Sequence, residues 1–541
     1  MSDKISKRAI QAQLKTILDS SDFTASERFR QFLKFVVEET LAGNQHELKA
    51  YTIATQVFGR SKHFDPMFDP VVRVEATKLR NKLEQFYLRR QGQGRDKIFI
   101  SIPKGTYVPV FELIPGSGGN AGCGGNTGQA VKNAGDSVFF QEKPTILILP
   151  FAPPGGADSS APGASLAREL TEEIAMGLSR FDDLTIINPQ QIPDHQYIEP
   201  SWDMATKLGA RFIIYGSVQM IDSRVRARVS LVDARSKSSL WGEKYDRAYD
   251  PAMQFSILDD IASQVVISVG DGFGFINRFL AKEQAGKPVA DLKVHETVLR
   301  YHHWVNTLNI DLGKETINAL ERAIELDPGY ALTKAMLADV LAGHYQWGYE
   351  ADATWLERSR TLAMEAMDME GSSQYVAWAW CFNLYLSGDR EQLLQAGRRA
   401  VELNPYNTNI VSVIGFKFCM VGHWDEGLTL LARSTQISRG LPGWIYIANI
   451  LRNYLDENYT EALITAKTIT TPGFWGGPLL RAAIYGKTGQ TEQGLAELEQ
   501  LQQACPRFEQ DHHELLRRLF YKQENYQPVL QGLVAAGFKE N

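Results

Sequence analysis

Cysteine is scarce in this chain. Its four residues, Cys123, Cys381, Cys419 and Cys505, are spread over 541 positions without a CxxC pair. That spread excludes a disulfide framework and a clustered-thiolate zinc site, and it fits a reducing compartment. Long apolar runs are lacking as well. Met1-Ser2-Asp3-Lys4 leads straight into a mixed polar helix instead of a signal-peptide core, and no later stretch approaches the roughly 18 apolar residues of a membrane span. The expected location is the cytoplasm. Histidine is thin, and its two clusters, His302-His303 and His512-His513, are adjacent pairs. Helix neighbours point about 100° apart, so neither pair reads as an i, i+4 metal chelate. No Ser, Cys or Lys sits in a nucleophile motif. The expectation is a non-enzyme with no catalytic residue, no metal site and no cofactor.

What is present is uneven charge. The chain carries a net −6, yet residues 1–113 hold 19 Lys and Arg against 13 Asp and Glu, a net +6, which leaves −12 for the rest. A basic head on an acidic body suits a small nucleic-acid module fused to parts with another task. The chain is too long for one hydrophobic core. Its clearest boundary is the Gly/Asn-rich run GSGGNAGCGGNTGQAVKNAGD at 116–136, which cannot bury a face and reads as a tether.

Behind the tether, TILILPF at 145–151 reads as a short buried strand, followed by a helix (165–180), a strand (184–188), a helix (201–209), a strand (211–218) and two further strands through Trp241. This alternation gives a small α/β domain with a mixed sheet. From about 257 onward the pattern is helical. There the hexamer Ala-Ile-Glu-Leu-Asp-Pro at 323–328 returns as Ala-Val-Glu-Leu-Asn-Pro at 400–405, an internal repeat that resembles the tetratricopeptide repeat. The resemblance covers roughly 295–530. It places small residues where paired helices cross: Ala338 and Gly415 on first helices, Gly427 and Ala462 on second helices, and Ala323 and Ala400 later in the second helices. It implies stacked helix pairs with a concave surface for a protein or peptide partner. Trp378, Trp380, Phe382 and Tyr385 read as packing between repeats.

Ahead of the tether the reading is four helices and a hairpin. Helices are expected at 5–20, at 26–42 between Ser26 and Gly43, at 47–58, and at about 70–90; IFISI and YVPVF flank Pro103-Lys104-Gly105-Thr106 as a hairpin. Val72, Ala76, Leu79, Leu83 and Phe86 form the buried face of the fourth helix. Between 71 and 107 lie nine basic and three acidic residues. Arg and Lys beside Thr and Asn suit phosphates and base edges. The order of a basic helix and then a hairpin resembles the recognition helix and wing of OmpR/PhoB-type winged-helix domains, through VRVEATKLRNKL at 72–83 and IPKGTY at 102–107, over about 45–113. The family's N-terminal sheet is replaced here by helices. The resemblance implies that Thr77, Lys78, Arg80 and Asn81 face the major groove, Arg73 a phosphate and Lys104 the minor groove of double-stranded DNA.

In the middle, TILILPF, LTEEI at 170–174, LGARFIIYGSV at 208–218, LVDA at 231–234 and LWGEKYDR at 240–247 are similar to the TolB N-terminal-like (FlgO-like) domain, which accompanies class III adenylate cyclases and CadC-like regulators. Trp241 and Tyr245 read as core residues. The whole is expected to be a multidomain chain: an α+β winged helix at 1–113, a linker at 114–143, a small α/β domain at 144–256 and an all-α tetratricopeptide solenoid at 257–541. The function this implies is a cytoplasmic DNA-binding transcriptional regulator whose solenoid receives a protein signal. The alternative is a non-catalytic scaffold in which the winged helix docks protein.

Overall fold

The computed structural model describes residues 6–20, 23, 26–61, 71–90, 98–102, 106–113, 143–152, 163–187, 202–284, 287–289, 292–350, 352–437, 442–471 and 473–540. They fall into two compact units, residues 1–140 with 324–335 and 361–372 in one and the remainder in the other. The tether at 116–136 and Lys104 lie outside the described residues.

The N-terminal domain has its own core, built entirely from residues 10–107. Helix α1 (Lys7–Leu18) starts at Ser6, whose hydroxyl accepts from the Ala9 N–H, and α2 (Glu27–Ala42) ends at Gly43, which takes the left-handed φ of +94° that a helix stop of this kind requires. Helices α3 (Ala50–Gln56) and α4 (Val71–Arg90) follow, then the antiparallel pair β1 (Ile98–Ser101) and β2 (Val110–Leu113). The five apolar residues expected to face inward from α4 are all buried with Phe32, Leu33, Val36 and Val37 of α2. Val72, Leu79, Leu83 and Phe86 each contribute on the order of 1.5–3 kcal/mol by leaving water, and Ala76 less.

The second unit opens with a five-stranded sheet, β3 (Thr145–Ile148), β4 (Thr185–Ile187), β5 (Phe212–Ile221), β6 (Arg224–Asp233) and β7 (Ser238–Ala248), in the order β4-β3-β5-β6-β7. β3 pairs in parallel with β4 and β5, while β5, β6 and β7 run antiparallel, so the sheet is mixed as expected. Helix α5 (Ala164–Leu178) covers one face, and the short α6 (Trp202–Lys207) contributes Ala205 to a small cluster with Leu147, Leu149 and Ile213. Trp241 and Tyr245 are core residues. The sequence reading ends this domain at 256, but its core continues into α7 (Gln254–Gly270) and α8 (Phe275–Gln284) through Leu258, Ile261, Val265, Val269, Ile276 and Leu280. Segment 251–284 also corrects the hydropathy reading: it is long and apolar enough to cross a membrane. Leu258, Ile261, Val265, Val269, Ile276 and Leu280 within it nevertheless pack in the sheet's core, and non-helical residues 271–274 interrupt it.

The helical-repeat array comprises α9 (Val294–Thr307), α10 (Ile310–Leu326), α11 (Ala331–Gln346), α12 (Thr354–Glu370), α13 (Gln374–Ser387), α14 (Arg390–Leu403), α15 (Thr408–Met420), α16 (Trp424–Ile437), α17 (Ile447–Leu455), α18 (Tyr459–Ala466), α19 (Gly476–Lys487), α20 (Thr491–Ala504), α21 (Phe508–Phe520) and α22 (Gln523–Ala536). The two repeated hexamers end α10 and α14 at equivalent points. Small residues mark the crossings. A Cβ on Gly415 would stand 2.8 Å from the Gly427 carbonyl oxygen, and one on Gly427 would stand 2.5 Å from that of Gly415, so α15 and α16 touch backbone to backbone.

The concave side is not the open groove that the repeat implied. The Tyr385 hydroxyl of α13 donates to the Leu519 carbonyl (2.8 Å), Gln346 Nε2 of α11 to that of Arg518 (3.0 Å) and Asn525 Nδ2 of α22 to that of Met420 (2.9 Å). Trp475 Nε1 reaches the Trp347 carbonyl at 2.9 Å. Residues about 105 to 172 positions apart are thus joined, and the last helices are seated against the first helices of earlier pairs.

Candidate functional site

The structure distributes the six residues expected to read DNA unevenly. Lys78 is exposed on α4, with Nζ 3.3 Å from Glu75. Arg73, Thr77 and Asn81 lie on the same helix, with their side chains outside the described residues, as is Lys104. Arg80 corrects the expectation. Its Nε donates to the Ile102 carbonyl and its Nη2 to the Thr106 carbonyl, both at 3.0 Å, and burial lowers the pKa of its guanidinium from the ordinary value. Arg80 is therefore a clamp between the helix and the hairpin arm, with its Nε and Nη2 already engaged. Tyr87 is a second clamp that sequence reasoning missed: its hydroxyl accepts from the Ile100 N–H at 2.8 Å and its ring lies 4.4 Å from Phe99. The aromatic spacing of Tyr87 and Phe99 was the available signal. Together they fasten Ile100, Ile102 and Thr106 to α4.

A second site lies inside the array, where the first helices α9, α11, α13, α15 and the entry to α17 converge on a cavity of about 60 Å³. Its aromatic wall is Trp304, Trp347, Trp378, Phe382, Phe416 and Trp444. Trp378 and Phe382, expected to be packing residues, stack at 5.2 Å and also line this space. Two charged side chains stand in the wall. Asp339 accepts from Tyr301 Oη (2.6 Å) and Trp378 Nε1 (2.8 Å), and burial pushes its carboxyl up to about 6. Lys417 is 3% exposed and donates to Gln346 Oε1 at 2.8 Å. Its Nζ sits 4.0 Å from the Tyr385 ring centre and 4.2 Å from that of Phe382, a cation–π cradle. Burial holds its ammonium well below the ordinary lysine range.

No family model matches the chain. A 235-residue stretch is 27% identical to "Putative adenylate cyclase 3" of Rhizobium meliloti (strain 1021), covering 42% of this chain and 38% of that protein. The chain therefore matches under two fifths of that relative's length. Among solved structures, TolB from Acinetobacter baumannii is similar over 23% of this chain and 26% of its own, at 14% identity and a TM-score of 0.17. The human IFIT1 dimer with m7Gppp-AAAA is similar over 53% and 67%, at 14% identity and a TM-score of 0.34. Both scores lie below the level of a shared overall fold.

The remaining titratable groups are tied into the fold. Asp271 accepts from the Thr408 hydroxyl and, at 2.7 Å, from the Gly272 N–H, and burial pushes it up to about 7. His302 pairs with Asp183 at 3.1 Å, and Ser373 donates to Asp182 at 2.6 Å. These contacts, with Asn404 Nδ2 on the Arg180 carbonyl, lock the α5–β4 loop to α9, α13 and α14. The structure departs from the geometric argument on His512 and His513. Their rings approach to 4.4 Å, and with Glu540 they bring three ligand atoms within 4.8 Å. His513 already pairs with Glu540 at 3.4 Å, an arrangement that fastens the end of the chain. The three described cysteines are buried, and their thiols are pushed up, to about 12 for Cys381 and Cys419 and about 11 for Cys505.

Proposed function

We propose that the chain is a non-catalytic cytoplasmic regulator in which residues 1–113 bind double-stranded DNA and the helical array receives the signal. The observation that carries this reading is α4, a helix that packs its apolar residues into a self-contained core, leaves Lys78 exposed and is clamped by Arg80 and Tyr87 to Ile102, Thr106 and β1; its sequence also carries Arg73, Thr77 and Asn81, and Lys104 follows in the sequence. A helix held rigidly against an antiparallel strand pair, with a basic residue in the sequence between the strands, suits insertion into one groove with a contact in the next. The +6 charge of this segment supplies the attraction to phosphate. The partial relative named as a cyclase fits a signalling chain. A protein partner on the array remains part of the proposal, on a surface other than the one α21 occupies.

Fluorescence polarisation of the 1–113 fragment on genomic double-stranded DNA tests it. Binding should be saturable, should weaken steeply with salt and should exceed that of the 144–541 fragment. Equal, weak binding by both fragments would refute the DNA reading. A second reading, the protein-docking scaffold, is favoured by one specific observation: Arg80, a principal expected base contact, has its Nε and Nη2 engaged inside the domain. Pull-down of the full chain with and without nuclease separates the two readings, because partners of a DNA reader disappear on digestion and those of a scaffold stay.

A further inference from the structure

The cavity inside the array has walls, a charge and unmet hydrogen-bonding groups of its own. Of the residues lining it, Trp304, Asn409 and Trp444 are 3%, 5% and 7% exposed, and their Nε1, Oδ1 and Nε1 atoms are buried without a hydrogen-bond partner among the described residues. A buried polar atom left unmet costs about 1–3 kcal/mol, so one unmet acceptor and two unmet donors at a single cavity are an incomplete set. Lys417 adds a buried amino group in the same wall, held by Gln346 Oε1 and two aromatic rings. The Asp339 carboxylate in that wall has both oxygens engaged by Tyr301 and Trp378. Buried cations are ordinarily paired. The cavity, at about 60 Å³, is too small for an extended segment, and α21 and α22 are seated against α11, α13 and α15.

We infer that this cavity binds a small hydroxylated monocarboxylate, of the 2-hydroxy acid class, as the array's ligand. Its carboxylate would accept from Lys417 Nζ and Trp444 Nε1, its hydroxyl would donate to Asn409 Oδ1, and its short carbon chain would lie against Trp378 and Phe382. Size supports the class. A water-sized group needs on the order of 10–15 Å³ of such space, so about 60 Å³ holds some four to six non-hydrogen atoms, the size of glycolate or lactate. The inference does not depend on DNA binding, since its test reads ligand occupancy directly.

The full-length chain is titrated with lactate and glycolate by calorimetry and by tryptophan fluorescence, four indoles being in the wall. Lactamide, which lacks the charge, propionate, which lacks the hydroxyl, and benzoate, which is too large, serve as controls. Saturable binding of the hydroxy acids is expected, about tenfold weaker for propionate and undetectable for lactamide and benzoate. Lys417→Met keeps the side chain's bulk and should weaken lactate at least tenfold. Trp444→Phe removes only the donor and should weaken it several-fold; circular dichroism confirms that each variant is folded. If Lys417→Met fails to fold, Trp444→Phe decides alone. Absence of saturable binding by either hydroxy acid up to about 10 mM, equal binding of lactamide, or indifference to both substitutions would overturn the inference.

Discussion

Arg80 and Lys78 sit two positions apart on one helix and do different work. Arg80→Ala removes two charge-assisted hydrogen bonds to the Ile102 and Thr106 carbonyls and should cost the N-terminal domain about 1.5–3 kcal/mol. Urea unfolding of the 1–113 fragment measures it. Lys78→Ala, at an exposed site, should leave stability within about 0.5 kcal/mol, while the salt slope of DNA binding drops by about one unit. A stable Arg80→Ala fragment would return that residue to the candidate interface. Charge pattern and motif placed both residues on α4, yet the count of basic residues carries no information about which guanidinium is consumed by a carbonyl 22 residues away. Asp271 offers a titration at the same scale. Its folded-state pKa is raised from 3.8 to about 7 by burial, so the folded chain retains a proton between those values that the unfolded chain has released. The resulting stabilisation is complete below about 4 and is lost as pH rises through about 7. Asp271→Asn should therefore gain stability relative to the parent between about pH 5 and pH 8. Thermal midpoints at both pH values check this, and a constant difference would contradict it.

Helix crossings show which elements the sequence could specify. The Ala/Gly positions assigned from the repeat, Ala338, Gly415, Gly427 and Ala462, are all buried, and Gly415 and Gly427 meet at a close crossing, because a repeat imposes its small residues at a fixed spacing. Gly415→Leu should overpack the α15–α16 pair and destabilise the array by about 1–3 kcal/mol or more, read as a lower melting temperature of the full chain with the N-terminal transition unchanged. An unshifted array transition would show that the pair can separate freely. The crossing of α19 and α22 is equally tight, since a Cβ on Gly486 would stand 2.0 Å from the Gly532 carbonyl oxygen. It escaped the sequence reading because the later repeats have lost the hexamer that sets the register. The same limit applies to α7 and α8. Local periodicity identifies them as helices, but only the sheet beneath them reveals that Leu258, Val265 and Ile276 belong to its core.

For the array as a whole, closure has a cost and a readout. Deleting residues 506–541 removes α21 and α22. That leaves Tyr385 Oη, Gln346 Nε2 and the Met420 carbonyl without their partners, an expense of about 1–3 kcal/mol for each group that stays buried. The truncated chain should show red-shifted tryptophan emission and new dye binding, from Trp475, which packs on Phe508, above all; an unchanged spectrum would mean that the end helices cover nothing. Sequence indicated stacked helix pairs but gave no sign of this closure, which depends on the accumulated turn of many pairs and on no local pattern. Open arrays with neighbour-only contacts can form piece by piece. Here Lys417 shares Gln346 with the carbonyl of Arg518, so the pocket around it is finished only after residues past 518 have left the ribosome. Synthesis at roughly 5–20 residues per second separates those two positions by about 5–20 seconds. During that interval a half-made chain carries an unguarded aromatic trough, and it is then that chaperone capture or aggregation would compete with completion.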